Sequence, residues 1–335
     1  MRIAACFLLT MVAAGYAAPR TGVKLQEIPA GAPYILADSA TQTYYLYTAT
    51  GPSAAAGHRG GTLMYRSKDL ESWDGPTLVF TPPEGMWADP ALGASSPSVH
   101  AHQGRYYLLV TLRNSNSVIE KAPPAWRTTT REATHIFVGD SPAGPFKPAS
   151  DAPPTPADFM ALDGTLYFEG GVPYLVYAHD WVQVIDGGIE AVRLRPDLSS
   201  SAGDPSGLFR GSSAIWLKEQ KAASRSPRFY VTARPSVHRT KQGPLLMLWT
   251  SQRGGQYVQA LACSASGRLD GPWRQEEPLL LDERSSHATI FTTFRGELML
   301  AIQHVPGDNR HPVIRLVPVE EAGGSIRVKR GAGGN

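Results

Sequence analysis

The residues able to move protons are aspartates and histidines spread along 335 residues, not gathered in one short motif. Asp163 stands in Leu162-Asp163-Gly164-Thr165. Asp38, Asp89, Asp180 and Asp186 are further carboxylates, and His100, His102, His179 and His238 are imidazoles whose charge can change near neutral pH. Such groups serve as general acid or base only within hydrogen-bond reach of a substrate, and most single loop histidines are structural. Asp89, in Trp87-Ala88-Asp89-Pro90, reads first as an Asp-Pro turn. Trp87, Trp181 and Trp249 could offer flat apolar faces to a ligand, although an aromatic residue in a strand more often belongs to the core. CxxC, HExxH and phosphate-cradling glycine motifs are absent, which removes the usual sequence support for zinc, redox and nucleotide chemistry. With 32 basic and 29 acidic residues the charge is too balanced for a nucleic-acid or anionic-membrane footprint. Small molecules or polysaccharides are the more natural partners.

The elements that must position these groups are short strands. The chain carries 33 Gly and 28 Pro, which favours tight turns over long helices. A two-strand couplet recurs five times. Tyr44-Tyr45-Leu46-Tyr47 follows Pro33-Tyr34-Ile35-Leu36, and Arg105 to Val110 follows Ser98-Val99-His100. Pro173 to Tyr177 follows Thr165 to Phe168, Leu245 to Trp249 follows Ser236-Val237-His238, and Glu297 to Ala301 follows Thr289-Ile290-Phe291. Intervals of about 50 to 70 residues leave room for a four-stranded sheet each time, the signature of a propeller blade. Three turn segments, Ser67 to Trp73, Asp140 to Phe146 and Ser264 to Trp273, fall where a third strand should hand over to a fourth. The expected fold is therefore all-β, a five-bladed β-propeller of four-stranded antiparallel blades over residues 22–330. In such a fold the first residues of each couplet reach the central funnel, which directs attention to Ala32, Ser98, Asp163, Ala233 and His287.

On these residues the chain resembles glycoside hydrolase family 43, the propeller arabinosidases, xylosidases and arabinanases. The resemblance runs through Thr155 to Gln183, His238 to Ser251 and Ser285 to Phe291, and covers nearly all of the chain after its first residues. It implies hydrolysis of O-glycosyl bonds of a glycan with inversion, which needs two carboxyl groups roughly 6.5–9.5 Å apart. It puts the pKa-tuning aspartate on Asp163. It puts the general base on Ala32, in Gly31-Ala32-Pro33-Tyr34-Ile35, and the general acid on Ala233, in Thr232-Ala233-Arg234-Pro235. A third family carboxylate corresponds to Ser98. Alanine and serine carry no such proton, so either an altered residue set works or the chain is a glycan-binding pseudoenzyme. Arg234 beside the acid position would favour an anionic sugar or would pair with Asp163. His179 and the three tryptophans complete the expected sugar contacts. No cofactor is required. The resemblance allows a hydrated calcium ion at His287, although a lone imidazole is a poor site for a cation that prefers six to eight oxygens.

Met1-Arg2 followed by an apolar stretch and Gly15-Tyr16-Ala17 reads as a cleaved signal peptide over 1–17, too short to span a bilayer. Export to the periplasm or the exterior is expected, as is a monomer. Cys6 lies in that segment, which leaves Cys263 alone and rules out an intrachain disulfide in the remainder. Cys263 reads as a buried small apolar residue of a strand.

Overall fold

Side-chain alternation along the strands decides the architecture. In Leu245-Leu246-Met247-Leu248-Trp249, successive side chains point to opposite faces of the sheet. Leu245, Met247 and Trp249 enter one buried cluster with Val176, Ile189 and Phe209 of the preceding sheet. Leu246 and Leu248 enter another with Leu300, Ile302 and Val317 of the following sheet. A strand buried on both faces belongs between two neighbours, and the whole chain repeats that arrangement. The computed structural model describes residues 18–51, 60–119, 128–217, 229–282, 284–307 and 311–329. The expected signal segment lies outside them.

Five blades follow in chain order. The inner strands are Tyr34–Asp38, Ser95–His102, Ala161–Glu169, Ala233–Arg239 and Ser285–Thr292. Each pairs antiparallel with the second strand of its couplet: Thr43–Thr50, Arg105–Val118, Val172–His179, Leu245–Arg253 and Leu298–His304. Third and fourth strands complete each sheet, and the turn segments after Ser67, Gly139 and Ser264 make the expected handover. Arg20–Val23 pairs with Trp73–Phe80 and gives the first blade a fifth, outermost strand. A bridge between Ala133 and Ala161 joins the second and third sheets.

Five hydrophobic clusters fill the five gaps between neighbouring blades. Burial of apolar surface, at about 25 cal/mol per Å², thus holds the ring at every joint. Cys263, buried in the cluster between the fourth and fifth blades, packs as expected. Ring closure uses side chains. Phe291, Ala301 and Ile314 of the last blade pack with Ile35, Leu46 and Leu63 of the first. Gln303 Oε1 accepts the Ala32 N–H at 3.1 Å, and Thr289 donates to the Pro33 carbonyl at 3.2 Å. Among the described residues no helix is long and apolar enough to cross a membrane.

Candidate functional site: the funnel of the propeller

Each inner strand opens with the same irregularity. The pairing steps from Leu162 with Ala178 to Thr165 with Val176, so two residues on one strand face one on the other. Ser95 to Ser98, Ala233 to Ser236 and Ser286 to Thr289 repeat the bulge. In the first blade the Ala49 N–H donates to Gly31 O, while Tyr34 already pairs with Tyr47. The inserted residues are Ala32, Ser96, Asp163, Arg234 and His287, with φ of 51°, 51°, 58°, 49° and 52°. None is glycine, and a left-handed conformation costs an L-residue about 1–2 kcal/mol. Five equivalent strained positions around one axis mark a place where the surrounding structure dictates side-chain direction.

This ring corrects two sequence expectations. Ser98 is equivalent to Thr165 and lies deeper along its strand, 1% exposed, donating to Gly164 O at 3.0 Å. Ala233 stands one residue before the ring, where it pairs with Thr250. Ser96 and Arg234 take the ring positions instead. The signal was present in the sequence, since Ala32, Ser96 and Arg234 each directly precede a proline.

Arg234 dominates the floor of the funnel. It is 1% exposed, and its guanidinium donates to Ser96 O at 2.8 Å, Pro97 O at 2.7 Å and Ala32 O at 3.4 Å. Its backbone N–H donates to Asp163 Oδ2 at 3.0 Å. Burial lowers its pKa, and the charges of Asp163 and Tyr34 partly restore it. A guanidinium remains charged under these conditions. Its field acts on the groups around it. The Tyr34 hydroxyl is pushed up to about 12 by burial, with Arg234 pulling the other way. His100 is pushed down to about 3 by burial and then by Arg234, and its Nε2 lies 3.2 Å from the Thr165 hydroxyl. A guanidinium already bound by three carbonyls is not offered to an anionic sugar, so the expected role of Arg234 as a ligand contact does not hold.

Carboxylates gather on the wall formed by the second and third blades. Glu132, Asp163 and Asp180 repel one another electrostatically. Burial is the main cause that raises Asp180 to about 6, with Glu132 and Asp163 adding to it. Glu132 is also raised by burial, against the pull of Arg113 at 3.1 Å. The strand register explains the grouping: Ala133 pairs with Ala161 and Ala161 with His179, so Glu132 and Asp180 flank the same rung. Asp180 also caps the helical turn Trp181–Val184 by accepting the Val182 N–H. Glu132 escaped the sequence reading because contacts between two sheets bring it to Asp163.

His179 lies behind this wall and is 6% exposed. Its Nδ1 is 3.0 Å from Glu190 Oε1 and its Nε2 is 3.0 Å from Gln183 Oε1. Gln183 Nε2 donates to Asp158 O, and Gln183 Oε1 also accepts from the Met160 N–H, which fixes the amide orientation. Both ring nitrogens thus face oxygen atoms of the protein. Its work is to hold the Asp180 loop, and it is not a sugar contact.

The tryptophans divide. Trp249 is fully buried, packs near Trp216 and Phe209, and donates to Gln275 Oε1, so it is core and not a sugar platform. Trp181 is partly buried and stacks on Phe229 with centroids 4.3 Å apart, directly after Asp180. Trp87 is partly buried, donates to His135 Nδ1, and carries Arg131 over its ring at 4.5 Å. Asp89 caps a short 3-10 turn through the Ala91 N–H, as its Asp-Pro setting indicates. Asp38 accepts from Thr41 and Tyr106, Asp186 from Ser212, His238 is bound to Glu321, and His102 stacks on Phe168. These groups serve local structure.

His287 completes the ring. Its Nδ1 is buried without a hydrogen-bond partner, and its pKa is lowered by burial, with Asp163 raising and Arg234 lowering it. A calcium ion beside this imidazole would stand in the field of a buried guanidinium, with a single carboxylate to offset both charges. Among the described residues no three His, Cys, Asp or Glu side chains converge to hold a metal. The residues present do not fit calcium.

A five-bladed propeller with a ring of left-handed residues at the heads of its inner strands, and with Glu132, Asp163 and Asp180 beside one another, defines the scaffold. The profile of Glycosyl hydrolases family 43 matches residues 31–321, and the chain belongs to that family. It is similar to the crystal structure of an endo-arabinase from Bacteroides thetaiotaomicron VPI-5482, at 32% identity and a TM-score of 0.78 over 91% of this chain and 99% of the other. An endo-1,4-beta-xylanase from the same organism shares the fold at 16% identity and a TM-score of 0.69, over 90% and 94%. An exo-1,5-alpha-L-arabinanase from a bovine ruminal metagenomic library does so at 15% and 0.64, over 90% and 97%. A search of curated proteins gave no match.

Proposed function

We propose that this protein binds a glycan at the mouth of its funnel without the two-carboxylate inversion of its family. The observation that supports this reading is the place of Arg234. Its guanidinium is bonded to the carbonyl of Ala32, the position to which the resemblance assigns the general base, and Ala233 beside it is the assigned acid. Two missing proton carriers each remove about 10²–10⁴ in rate. Asp163, the assigned tuner, is instead tied to the Arg234 backbone. The test is to measure binding of arabinan, xylan and galactan by calorimetry, alongside turnover of aryl arabinofuranosides, xylosides and galactosides. Binding without turnover is expected. Restoring Ala32→Asp with Ala233→Glu should remain silent while Arg234 covers the floor, and adding Arg234→Gly should allow turnover. Turnover by the unaltered chain, or activity of the double variant alone, would refute the reading.

A second reading has its own support, the raised Asp180 beside Glu132 and Asp163. A carboxyl group titrating near 6 suits a general acid. If the chain hydrolyses a glycoside, Asp180→Asn should lower kcat by about 10²–10⁴ and leave glycan binding intact. Loss of binding in place of kcat would count against it. Export of the chain, cleaved after Ala17, is also proposed from its first residues; the N-terminus of the protein recovered from its native host should begin at Ala18, and an intact Met1 would disprove it.

A further inference from the structure

We propose that the Arg234 guanidinium is the axial cation of this propeller, a covalently attached substitute for a bound metal ion. Four blades are tied together at this one residue, and the fifth stands in its field. The fourth supplies it, the first and second accept its protons through Ala32 O, Ser96 O and Pro97 O, and the third binds its N–H through Asp163. His287 of the fifth lies within its field. Carbonyl and carboxylate oxygens are the donors that hard cations select. Here three carbonyls converge on a group that is 1% exposed, placed in a strained backbone position with φ of 49°, with the Asp163 charge acting on it. Desolvating a charge is costly unless it is paired and hydrogen-bonded, so such burial persists only where the surroundings are built for a positive charge. The side chain also reaches across the axis to blades that its own strand does not adjoin, which makes it a tie between opposite sides of the ring. A diffusible ion in the same place would serve both purposes but could be lost to a chelator.

The experiment compares thermal melting of the full chain and its variants in EDTA, calcium and magnesium, with metal content measured on the purified protein. The unaltered chain should contain no stoichiometric metal and melt within about 1 °C in all three conditions. Arg234→Gly relieves the left-handed backbone yet should melt roughly 5–10 °C lower, because three carbonyl oxygens lose their cation. Calcium should then raise its melting point saturably, since the vacated place keeps the carbonyls of Ala32, Ser96 and Pro97 within the field of the Asp163 carboxylate. Arg234→Lys, which keeps a charge but not the planar fork, should fall between the two and ignore calcium. A metal bound to the unaltered chain, or its stabilisation by calcium, overturns the proposal. So does an Arg234→Gly variant as stable as the parent, or one that calcium does not restore. If that variant does not fold, the metal content and chelator response of the unaltered chain, with Arg234→Lys, still decide the matter.

Discussion

Arg234 donates its backbone N–H to Asp163 Oδ2 at 3.0 Å while its guanidinium donates to the carbonyls of the first two blades. Asp163 is 7% exposed, so its charge is set against a cation in a dry place. The aspartate assigned to tuning in the family is engaged here in holding a neighbouring strand and balancing a buried charge.

Removing the carboxylate should therefore cost stability. Asp163→Ala leaves the guanidinium without its nearest counter-charge and the Arg234 N–H without an acceptor, so a loss of about 3–5 kcal/mol is expected in urea denaturation. Asp163→Asn keeps an acceptor and tolerates the left-handed backbone, so it should lose clearly less. Equal losses for the two variants would show that charge pairing, not hydrogen bonding, is what matters.

How much of this was legible beforehand differs between fold and site. Pairs such as Leu245-Leu246 and Tyr106-Tyr107 repeat at blade intervals, and two-sided burial explains why, so the propeller could be read from periodicity. Asp163 and His287 were also legible, because the bulge leaves them at the head of their strands. Ser98 and Ala233 were misplaced because a one-residue bulge shifts register without changing composition. Glu132 was invisible for another reason: its nearness to Asp180 depends on contacts between two blades, such as the Ala133–Ala161 bridge and the Thr134 hydroxyl bonds to Ala161 O and Gly164 N–H. Trp249 was misjudged because two-sided burial makes a strand tryptophan core, whatever its chemistry could offer.

Asp180 should make stability fall as pH rises through the mildly acidic range. Its folded pKa of about 6 lies above the unfolded value near 3.9, so the folded state holds its proton longer. The penalty is absent below about pH 4, grows between pH 4 and 6, and is constant above, at about 2–3 kcal/mol. Asp180→Asn retains the cap on Val182 and removes the charge. It should be more stable than the parent at pH 8 and equal to it at pH 4, measured by denaturation at both values. A difference of the same size at both would refute the assignment.

His100 works in the opposite sense. Its folded pKa near 3 lies below the unfolded 6.5, so the unfolded chain gains a proton that the folded chain refuses. The stabilisation is complete above pH 6.5 and is lost as pH falls toward 3. His135, held at about 4 chiefly by burial, adds a similar term. Replacing His100 with Gln, which keeps an acceptor for the Thr165 hydroxyl, should flatten the acid limb of the stability profile between pH 6 and 4. An unchanged limb would mean that His100 takes up its proton without leaving the fold.

The two tryptophans on either side of the fourth blade joint should separate stability from binding. Trp249→Ala opens a void in a cluster shared by two blades, so a loss of about 3–5 kcal/mol is expected. Because its ring never reaches the funnel, the folded fraction should bind glycan as the parent does. Trp181 is partly buried, stacked on Phe229 and one residue from Asp180. Trp181→Ala should cost little in denaturation and weaken glycan binding about tenfold, or about 1.4 kcal/mol. If calorimetry finds the affinity unchanged, the aromatic platform lies elsewhere, and Trp87 becomes the side chain to replace.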